Sequence, residues 1–166
     1  MSTMTRDATE NDAPAIAAVY NPYITDFLTS FEKDPVSPEG MAERIRTVQV
    51  RYPWLVCEVG GEVLGYAYAN RWKERHAYHY CAECAVYLRT DAGGRGLGTA
   101  LYTELLRRLP ACDVKVAIGC IALPNDASVA LHEKMGFEKV GHFPRVGYKF
   151  GQWIDIGYWQ LALGDD

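Results

Sequence analysis

The sequence lacks three features that would each point to a class of function. No apolar run approaches the length of a membrane span, and the N-terminus, MSTMTRDATE, lacks the pattern of a secretory signal. There is no basic surplus, because 21 Asp and Glu outnumber 17 Lys and Arg and give a net charge of −4. Nucleic-acid-binding proteins normally carry a positive surplus. We therefore expect a cytoplasmic protein that binds neither membranes nor nucleic acids.

The cysteines do not suggest a disulfide framework. Five is an odd number, and their intervals are irregular: Cys57, Cys81, Cys84, Cys112 and Cys120. Most lie in apolar, strand-like runs, so we expect them to be small core residues. The 166 residues contain no internal repeat or low-complexity tract, and 49% are hydrophobic. This composition predicts one globular domain spanning residues 1–166.

A glycine-rich turn between a strand and a helix is the most informative stretch. Glu83 to Leu88 is rich in β-formers, Asp91 to Gly98 contains four glycines, and leucines at helical spacing follow. Glycines let backbone N–H groups point at a ligand, and the dipole at a helix N-terminus favours an anion. Arg95 adds a full positive charge. The turn therefore suggests a phosphate site, although a flexible surface turn would contain the same glycines.

Two common nucleotide motifs do not fit this turn. A Walker loop ends in Gly-Lys-Ser or Gly-Lys-Thr, and no such sequence follows these glycines. A dinucleotide fingerprint needs G-x-G-x-x-G, whereas Gly94 to Gly98 reads G-x-G-x-G and lies mid-chain after two hairpin-like strands. Both nucleotide interpretations therefore fail on spacing and context.

The rest of the pattern predicts a mixed α+β fold with the order β-α-α-β-β-β-α-β-α-β-β. The first helix should end or kink at Asn21-Pro22, because proline lacks a backbone donor. A strand is expected from Tyr78 to Leu88, and Asn125 can cap a later helix. The turn between the last two strands is expected at Gly147 to Gln152.

Ordered matches along nearly the whole chain indicate a family. Gly93 to Gly98 resembles the pyrophosphate loop of the GCN5-related N-acetyltransferases (GNAT), [QR]-x-x-G-x-[GA], except that Gly93 replaces the usual Gln or Arg. That replacement removes one side-chain contact to the cofactor. The chain is most similar to the phosphinothricin and methionine sulfoximine N-acetyltransferase group. The matching pieces are Tyr20-Asn21, Pro53-Trp54-Leu55-Val56, Gly65-Tyr66-Ala67-Tyr68-Ala69, Arg75-His76-Ala77-Tyr78, Val86-Tyr87, Leu123-Pro124-Asn125, Ser128-Val129, Leu131-His132-Glu133, Gly136-Phe137 and Gly147-Tyr148-Lys149-Phe150-Gly151-Gln152-Trp153.

This resemblance implies a fold, a co-substrate and an assembly. The fold would have a central, mostly antiparallel sheet of about seven strands with helices on both faces. Acetyl-CoA would be the co-substrate, a small amino-acid-like amine the acceptor, and the protein would be a homodimer. The implied acetyl-CoA contacts are Val86, Tyr87, Leu88, Gly94, Arg95, Gly96, Leu97, Gly98, Thr99, Asn125, Ser128 and Lys134. Helix capping by Asn125 and simple solvation of Lys134 are the alternative roles.

Glu83 is the candidate general base. Side chains alternate along a strand, so Glu83 shares a face with Ala85 and Tyr87. A carboxylate inside an apolar strand is costly unless it is paired, solvated or used, and an exposed sheet face is the alternative explanation. In the resembled group a glutamate here takes the proton of the acceptor amine, directly or through water. The resemblance also places His132 nearby as a proton relay or orienting group, while Tyr87 and Tyr78 are candidate proton donors to the CoA thiolate.

The segment before this strand is the candidate acceptor site. Lys73 and Arg75 are two cations near Glu83, which suits an acceptor that carries a carboxylate. A solvated loop is the alternative. Cys84 departs from the residues commoner at its place in the group, and this departure suggests an acceptor preference that differs from theirs. The residues that align with the group's acceptor site are Lys73, Glu74, Arg75, Tyr78, Glu83, Cys84 and Ala85.

A metal site is not expected. His76, His79, Cys81 and Cys84 have the composition of a metal cluster. Cys81 and Cys84 face opposite sides of a strand, however, so they cannot both chelate one ion. The same geometry argues against a thioredoxin-type cysteine pair.

The sequence therefore predicts an acetyl-CoA-dependent N-acetyltransferase. Its acceptor would be the α-amine of a small amino-acid analogue, such as phosphinothricin, methionine sulfoximine or methionine sulfone, with Glu83 as base. One alternative is transfer to another amine, namely a polyamine, an aminoglycoside or a protein N-terminus; Lys73 and Arg75 argue against polycationic acceptors. The other alternative is an acyl-CoA-binding module without turnover, which would not need Glu83.

Overall fold

The computed structural model describes residues 1–164, so residues 165 and 166 of the expected domain lie outside the described residues. The strands are β1 (Thr3–Asp7), β2 (Trp54–Val59), β3 (Glu62–Arg71), β4 (Cys81–Leu88), β5 (Val116–Leu123), β6 (Glu138–Lys149) and β7 (Gln152–Ala162). The helices are α1 (Ala13–Thr25), α2 (Pro38–Gln49), α3 (Leu97–Arg108) and α4 (Asp126–Lys134). The predicted order of elements is confirmed.

All seven strands belong to one sheet in the order β1-β2-β3-β4-β5-β7-β6. Every neighbouring pair is antiparallel except β4 and β5, which are parallel. This arrangement confirms the mostly antiparallel seven-stranded sheet. The parallel pair at its centre requires a crossover, and α3 provides it.

Helices cover both faces of the sheet, as expected. On one face, the rings of Tyr20 and Tyr23 from α1 pack against Tyr87 of β4, with centroids 5.0 and 5.2 Å apart. On the other face, α3 and α4 lie so close that glycines are needed in the strands beneath them. A Cβ on Gly119 of β5 would lie 2.5 Å from the His132 ring of α4. Burial of both faces explains why the central strands are almost continuously apolar.

Local signals in the sequence set several element ends. Ser37 caps α2 by accepting a hydrogen bond from the Gly40 N–H at 3.0 Å, and Asn125 caps α4 by accepting one from the Ser128 N–H at 3.1 Å. Gly136 ends α4 with a φ of 96°, which favours glycine.

Three expected boundaries differ from the structure. Helix α1 continues past Pro22 to Thr25, because the buried side chains of Tyr20 and Ile24 hold its apolar face on both sides of the proline. Strand β4 begins at Cys81 rather than Tyr78, since residues 76–78 form a 3₁₀ turn. Strand β6 bulges between Phe143 and Gly147 but continues to Lys149, so the hairpin turn is shorter than expected.

Candidate active site

Strands β4 and β5 form a fork at the centre of the sheet. They pair only from Cys81 with Val116 to Cys84 with Gly119. Beyond that point β4 stays paired with β3 as far as Leu88, and β5 stays paired with β7 as far as Leu123. The two strands therefore diverge and leave a gap between residues 85–88 and residues 120–123. We call this gap the fork.

The register of β4 decides which backbone groups line the fork. The Arg89 N–H donates to the Leu64 carbonyl at 2.7 Å, so odd-numbered residues of β4 direct their N–H and C=O groups towards β3. The Val86 and Leu88 groups consequently point into the fork, whereas the Tyr87 N–H faces β3. The Leu88 carbonyl accepts a hydrogen bond from the Tyr23 hydroxyl. A free strand edge of this kind suits an extended chain that carries amide groups.

The glycine loop lies where β4 leads into α3. Gly94 and Gly96 both have a φ of 75°, and the space beside them is open. Helix α3 starts at Leu97 without a side-chain cap, so the N–H groups of its first turn remain available. The Leu97 side chain itself is buried in the core. The loop therefore has the geometry of an anion site at a helix N-terminus.

Cationic and hydroxyl groups surround this loop. Arg95 is exposed within it. From α4, the Lys134 Nζ donates to Thr99 Oγ1 at 3.4 Å, which brings the two predicted cofactor residues together. Helices α3 and α4 approach each other closely here because Gly98 of α3 has no side chain. A Cβ at this position would lie 3.3 Å from the Leu131 side chain of α4.

Asn125 and Ser128 lie on the other arm of the fork, just after β5. Asn125 Oδ1 caps α4, as the alternative interpretation expected. No hydrogen bond occupies Asn125 Nδ2 within residues 1–164, so capping leaves that group free for a ligand.

Glu83 lies at the base of the fork. Its neighbours across the strands are Asn70 of β3 and Ile118 of β5. Its side chain is on the face covered by α1 and α2, and its carboxylate has no hydrogen bond among the described residues. Burial raises the pKa of Glu83 above its usual value, and the nearby charge of Lys73 partly opposes this. A half-buried carboxylate with a raised pKa is suited to accepting a proton near neutral pH.

The loop before β4 carries the predicted acceptor residues on an exposed surface. The Lys73 Nζ lies 5.4 Å above the Trp72 ring, and the Tyr78 ring meets that same ring edge-on at 5.2 Å. Glu74 pairs with Arg71 at 3.2 Å. No salt bridge engages Arg75 within residues 1–164. Lys73 and Arg75 are thus the available cations on this side of Glu83.

His132 is not brought together with Glu83. It is 5% exposed on the opposite face of the sheet, where its ring packs on Gly119. Its Nε2 bonds the Tyr102 hydroxyl at 2.7 Å, and its Nδ1 bonds the Ser128 carbonyl at 2.8 Å. Burial lowers the pKa of His132, so the ring is neutral at pH 7. Both ring nitrogens are thus occupied within the protein.

Two other predicted residues are enclosed by neighbouring side chains. The Cys84 side chain is buried on the face opposite to that of Glu83, so it presents only its backbone towards the acceptor site. Tyr87 is surrounded by Tyr20, Tyr23 and Tyr66, and burial raises the pKa of its hydroxyl well above the usual value.

The structure adds one residue that the sequence analysis did not select for the site, Cys120. Cys120 of β5 is exposed, and it lies opposite Tyr158 of β7 on the face that carries Glu83. Although Cys120 is exposed as a residue, neighbouring atoms partly desolvate its thiol, and this desolvation and the charge of Glu83 raise the pKa of Cys120 to about 11. The other four cysteines are buried or half-buried and all five are free. Strand alternation from Ile118 would have found Cys120, had the pairing of β5 with β4 been known.

Comparison with known proteins decides the family. A model of the acetyltransferase (GNAT) domain matches residues 5–157. The chain belongs to the GNAT acetyltransferase family. It is 42% identical to a phosphinothricin N-acetyltransferase of Streptomyces viridochromogenes, over 93% of this chain and 85% of the relative. It is 38% identical to an L-methionine sulfoximine/L-methionine sulfone acetyltransferase of Pseudomonas aeruginosa, over 98% of this chain and 96% of the relative.

A solved relative places acetyl-CoA in this fold. The crystal structure of a phosphinothricin acetyltransferase from Sinorhizobium meliloti in complex with acetyl-CoA superposes with a TM-score of 0.94. The two chains are 35% identical, and the match covers 99% of this chain and 90% of that chain. Together, the matches make this chain an acetyl-CoA-dependent N-acetyltransferase, as predicted.

Within residues 1–164, no group of three or more His, Cys, Asp or Glu side chains is arranged to hold a metal ion. No helix in the same range has both the length and the apolar character needed to cross a membrane.

Proposed function

We propose that this enzyme acetylates the α-amine of a small amino-acid analogue of the phosphinothricin, methionine sulfoximine or methionine sulfone type. The observation that carries the proposal is Glu83, a half-buried carboxylate with a raised pKa at the base of the fork, with unpaired cations beside it. The names of the relatives support the acceptor class.

The residues at the fork fit acetyl-CoA, which supplies the acetyl group as a thioester. The N–H groups of the glycine loop and α3, with Arg95, Thr99 and Lys134, would hold its pyrophosphate. The Val86 and Leu88 backbone groups would pair with its pantetheine arm, and Asn125 Nδ2 would bond the same arm from the other side. Most of these contacts come from the backbone, so the loss of one side chain at Gly93 is tolerable.

Glu83 then serves as the base. The acceptor arrives mostly protonated at neutral pH, and the carboxylate removes one proton before the amine nitrogen attacks the thioester carbon. A fork-facing N–H of β4 donates to the carbonyl oxygen as negative charge develops on it. Tyr78 and Tyr87 are the candidate donors of the proton that the departing thiolate takes up.

His132 has a positioning role in this proposal. Because its nitrogens bond Tyr102 and Ser128, it ties α3 to α4 beneath the base of the fork. It would therefore act on catalysis by holding the two arms of the fork, and not by relaying the proton of the amine.

Lys73 and Arg75 would bind the carboxylate of the acceptor. Both are exposed, and Lys73 is close enough to Glu83 to influence the pKa of that carboxylate. An acceptor bound this way presents its amine to Glu83 and its carboxylate to the loop.

The test is thiol release from acetyl-CoA with a panel of acceptors: methionine sulfone, methionine sulfoximine, phosphinothricin, common amino acids, spermidine and an aminoglycoside. We expect turnover of the amino acids and analogues, and a KM for them that rises at least tenfold in Lys73→Met/Arg75→Met. Lys139→Met, an exposed cation on the edge strand β6, is the control. Turnover of spermidine or the aminoglycoside alone would overturn the acceptor class, and acetyl-CoA binding without any turnover would favour a binding module.

We also propose a homodimer formed through the β6–β7 hairpin. Large apolar side chains are exposed along it, including Tyr148 at 64%, Trp153 at 57% and Phe143 at 51%. Such a patch on an edge hairpin suits a second copy of the chain, as the resemblance implies.

A further inference from the structure

A cleft of about 600 Å³ lies between α2 and strands β2 and β3. Its floor is aromatic: the Trp54 ring stacks on Tyr68 with centroids 4.2 Å apart, and on Tyr66 at 5.6 Å. Thr47 and Arg44 of α2 form its upper wall. Apart from Tyr66, which packs against Tyr87, these residues lie outside the site described so far.

This cleft is continuous with the base of the fork. Asn70 lines the cleft and is also the direct β3 partner of Glu83, with both side chains on the same face. Tyr68 lies two residues further along β3. Burial raises the pKa of Tyr68 to about 12, and the charge of Glu83 is the second contribution to this shift. The Tyr68 hydroxyl is therefore near enough to the Glu83 carboxylate to interact with its charge. Neighbouring strands are about 5 Å apart, and β2, which carries Trp54, is the second strand from β4. The floor of the cleft therefore extends about 10 Å from β4.

The charges around the cleft are mostly negative. Asp34 and Glu43 line it with exposed carboxylates. The single guanidinium of the lining, Arg44, is already bound by both oxygens of Glu32, at 2.5 and 3.0 Å. Glu83 adds a further carboxylate at the inner end. An anionic group entering the cleft would therefore be desolvated beside like charges.

One polar group of the floor lacks a partner. The Trp54 ring is buried, and its Nε1–H has no hydrogen-bond acceptor within residues 1–164. Since this N–H has almost no accessible surface, it offers no hydrogen bond to a ligand, and the floor acts on a ligand only through its rings.

We propose that the side chain of the acceptor lies in this cleft, an inference that rests on the amino-acid acceptor proposed above. The cleft selects acceptors with neutral or cationic side chains over acceptors with anionic ones. With the amine at Glu83 and the carboxylate at Lys73 and Arg75, the third substituent of the α-carbon is directed past Asn70 onto Tyr68. An apolar or cationic group gains contact with the aromatic floor. A phosphinate or carboxylate group meets the acidic mouth instead. Methionine sulfone is therefore preferred over phosphinothricin, and glutamine over glutamate.

The first experiment fills the cleft. Thr47→Trp places a large ring in it from an exposed position of α2. We expect kcat/KM for methionine sulfone to fall at least tenfold, because a misplaced acceptor loses its alignment with the reacting atoms. The KM for acetyl-CoA and the circular dichroism spectrum should not change. Val50→Trp is the matched control, since Val50 is 86% exposed at the end of the same helix, outside the cleft.

The second experiment changes charge without changing shape. In Asp34→Asn/Glu43→Gln, the ratio of kcat/KM for glutamine over glutamate should fall about fivefold, the size expected when two like charges are removed from a watery cleft. The same ratio measured for wild type in 1 M NaCl should fall as well, because salt screens exposed charges. Glu39→Gln, an exposed acid in the first turn of α2, is the control and should keep the wild-type ratio.

These outcomes separate the inference from the proposed function. If wild type acetylates amino acids but both cleft variants behave like their controls, the inference is wrong and the proposed function stands. A wild-type preference for glutamate or phosphinothricin would also overturn it. If wild type acetylates no amino acid, the proposed function fails and the inference fails with it.

Discussion

Replacing Gly119 by alanine should damage the base of the fork through His132. A Cβ at this position would lie 2.5 Å from both Cδ2 and Nε2 of the His132 ring, far inside contact distance. The ring cannot move away at low cost, because Tyr102 and Ser128 hold its two nitrogens at 2.7 and 2.8 Å. Either the strand or the helix must shift, and the buried Tyr102 hydroxyl then loses its partner.

The expected loss of stability combines two effects. Overpacking a close-packed core costs about 1–3 kcal/mol, and leaving a buried hydroxyl unpaired costs about 1–3 kcal/mol. A combined loss of about 3 kcal/mol would lower Tm by about 6–12 °C for a chain of this size. Differential scanning calorimetry measures this directly. Gly141→Ala is the matched control, since no atom lies within 4 Å of a Cβ there.

A double variant tests whether His132 is the cause. His132→Ala removes the ring that Gly119→Ala would strike, so the two changes should be non-additive by at least about 1 kcal/mol. Because α4 also carries Asn125 and Lys134, the KM for acetyl-CoA should rise in Gly119→Ala. A Tm for Gly119→Ala within 2 °C of that of Gly141→Ala, or strict additivity in the double variant, would refute this reasoning.

Three further predictions concern the site and the assembly. A base must be deprotonated to act, so kcat/KM should be lost as pH falls through the raised pKa of Glu83. In Lys73→Met this acidic limb of the pH–rate profile should move to higher pH, because the positive charge that lowers the pKa of Glu83 is gone. Arg95→Ala and Lys134→Ala should each raise the KM for acetyl-CoA about 3–10-fold, with less effect at high salt, while the KM for the acceptor stays constant. Trp153→Glu should convert a dimer into a monomer in analytical ultracentrifugation, and an unchanged sedimentation coefficient would contradict the proposed interface.

The local elements could be predicted from the sequence because their signals are local. Ser37, Asn125 and Gly136 mark helix ends by capping chemistry that needs only neighbouring residues. The glycine loop and the alternation that sets Glu83 apart from Cys84 are also short-range patterns. These features, together with the resemblance to a family, were enough for the fold class.

Other features depend on which strands become neighbours, which the pattern of one strand does not reveal. The exposed Cys120 lies beside Glu83 only because β5 pairs in parallel with β4 and then diverges from it. His132 lies on the opposite face because α4 packs with α3, and the aromatic cleft exists because α2 lies opposite Trp54 and Tyr68 of two neighbouring strands. Of the two outcomes expected at Pro22, an end or a kink, the structure excludes the end, since burial on both sides of the proline outweighs one lost hydrogen bond.

The most direct test of the central claim, that Glu83 is the base of an acetyltransferase, is to measure acetyl-CoA affinity and turnover together in Glu83→Gln. Isothermal titration should give a Kd for acetyl-CoA within about twofold of wild type, because the fork and the glycine loop are untouched. The kcat with the best acceptor of the panel should fall about 10²–10⁴-fold, the usual contribution of a general base, while Glu39→Gln keeps both values. A Glu83→Gln enzyme that keeps most of its kcat across the pH range would contradict the account.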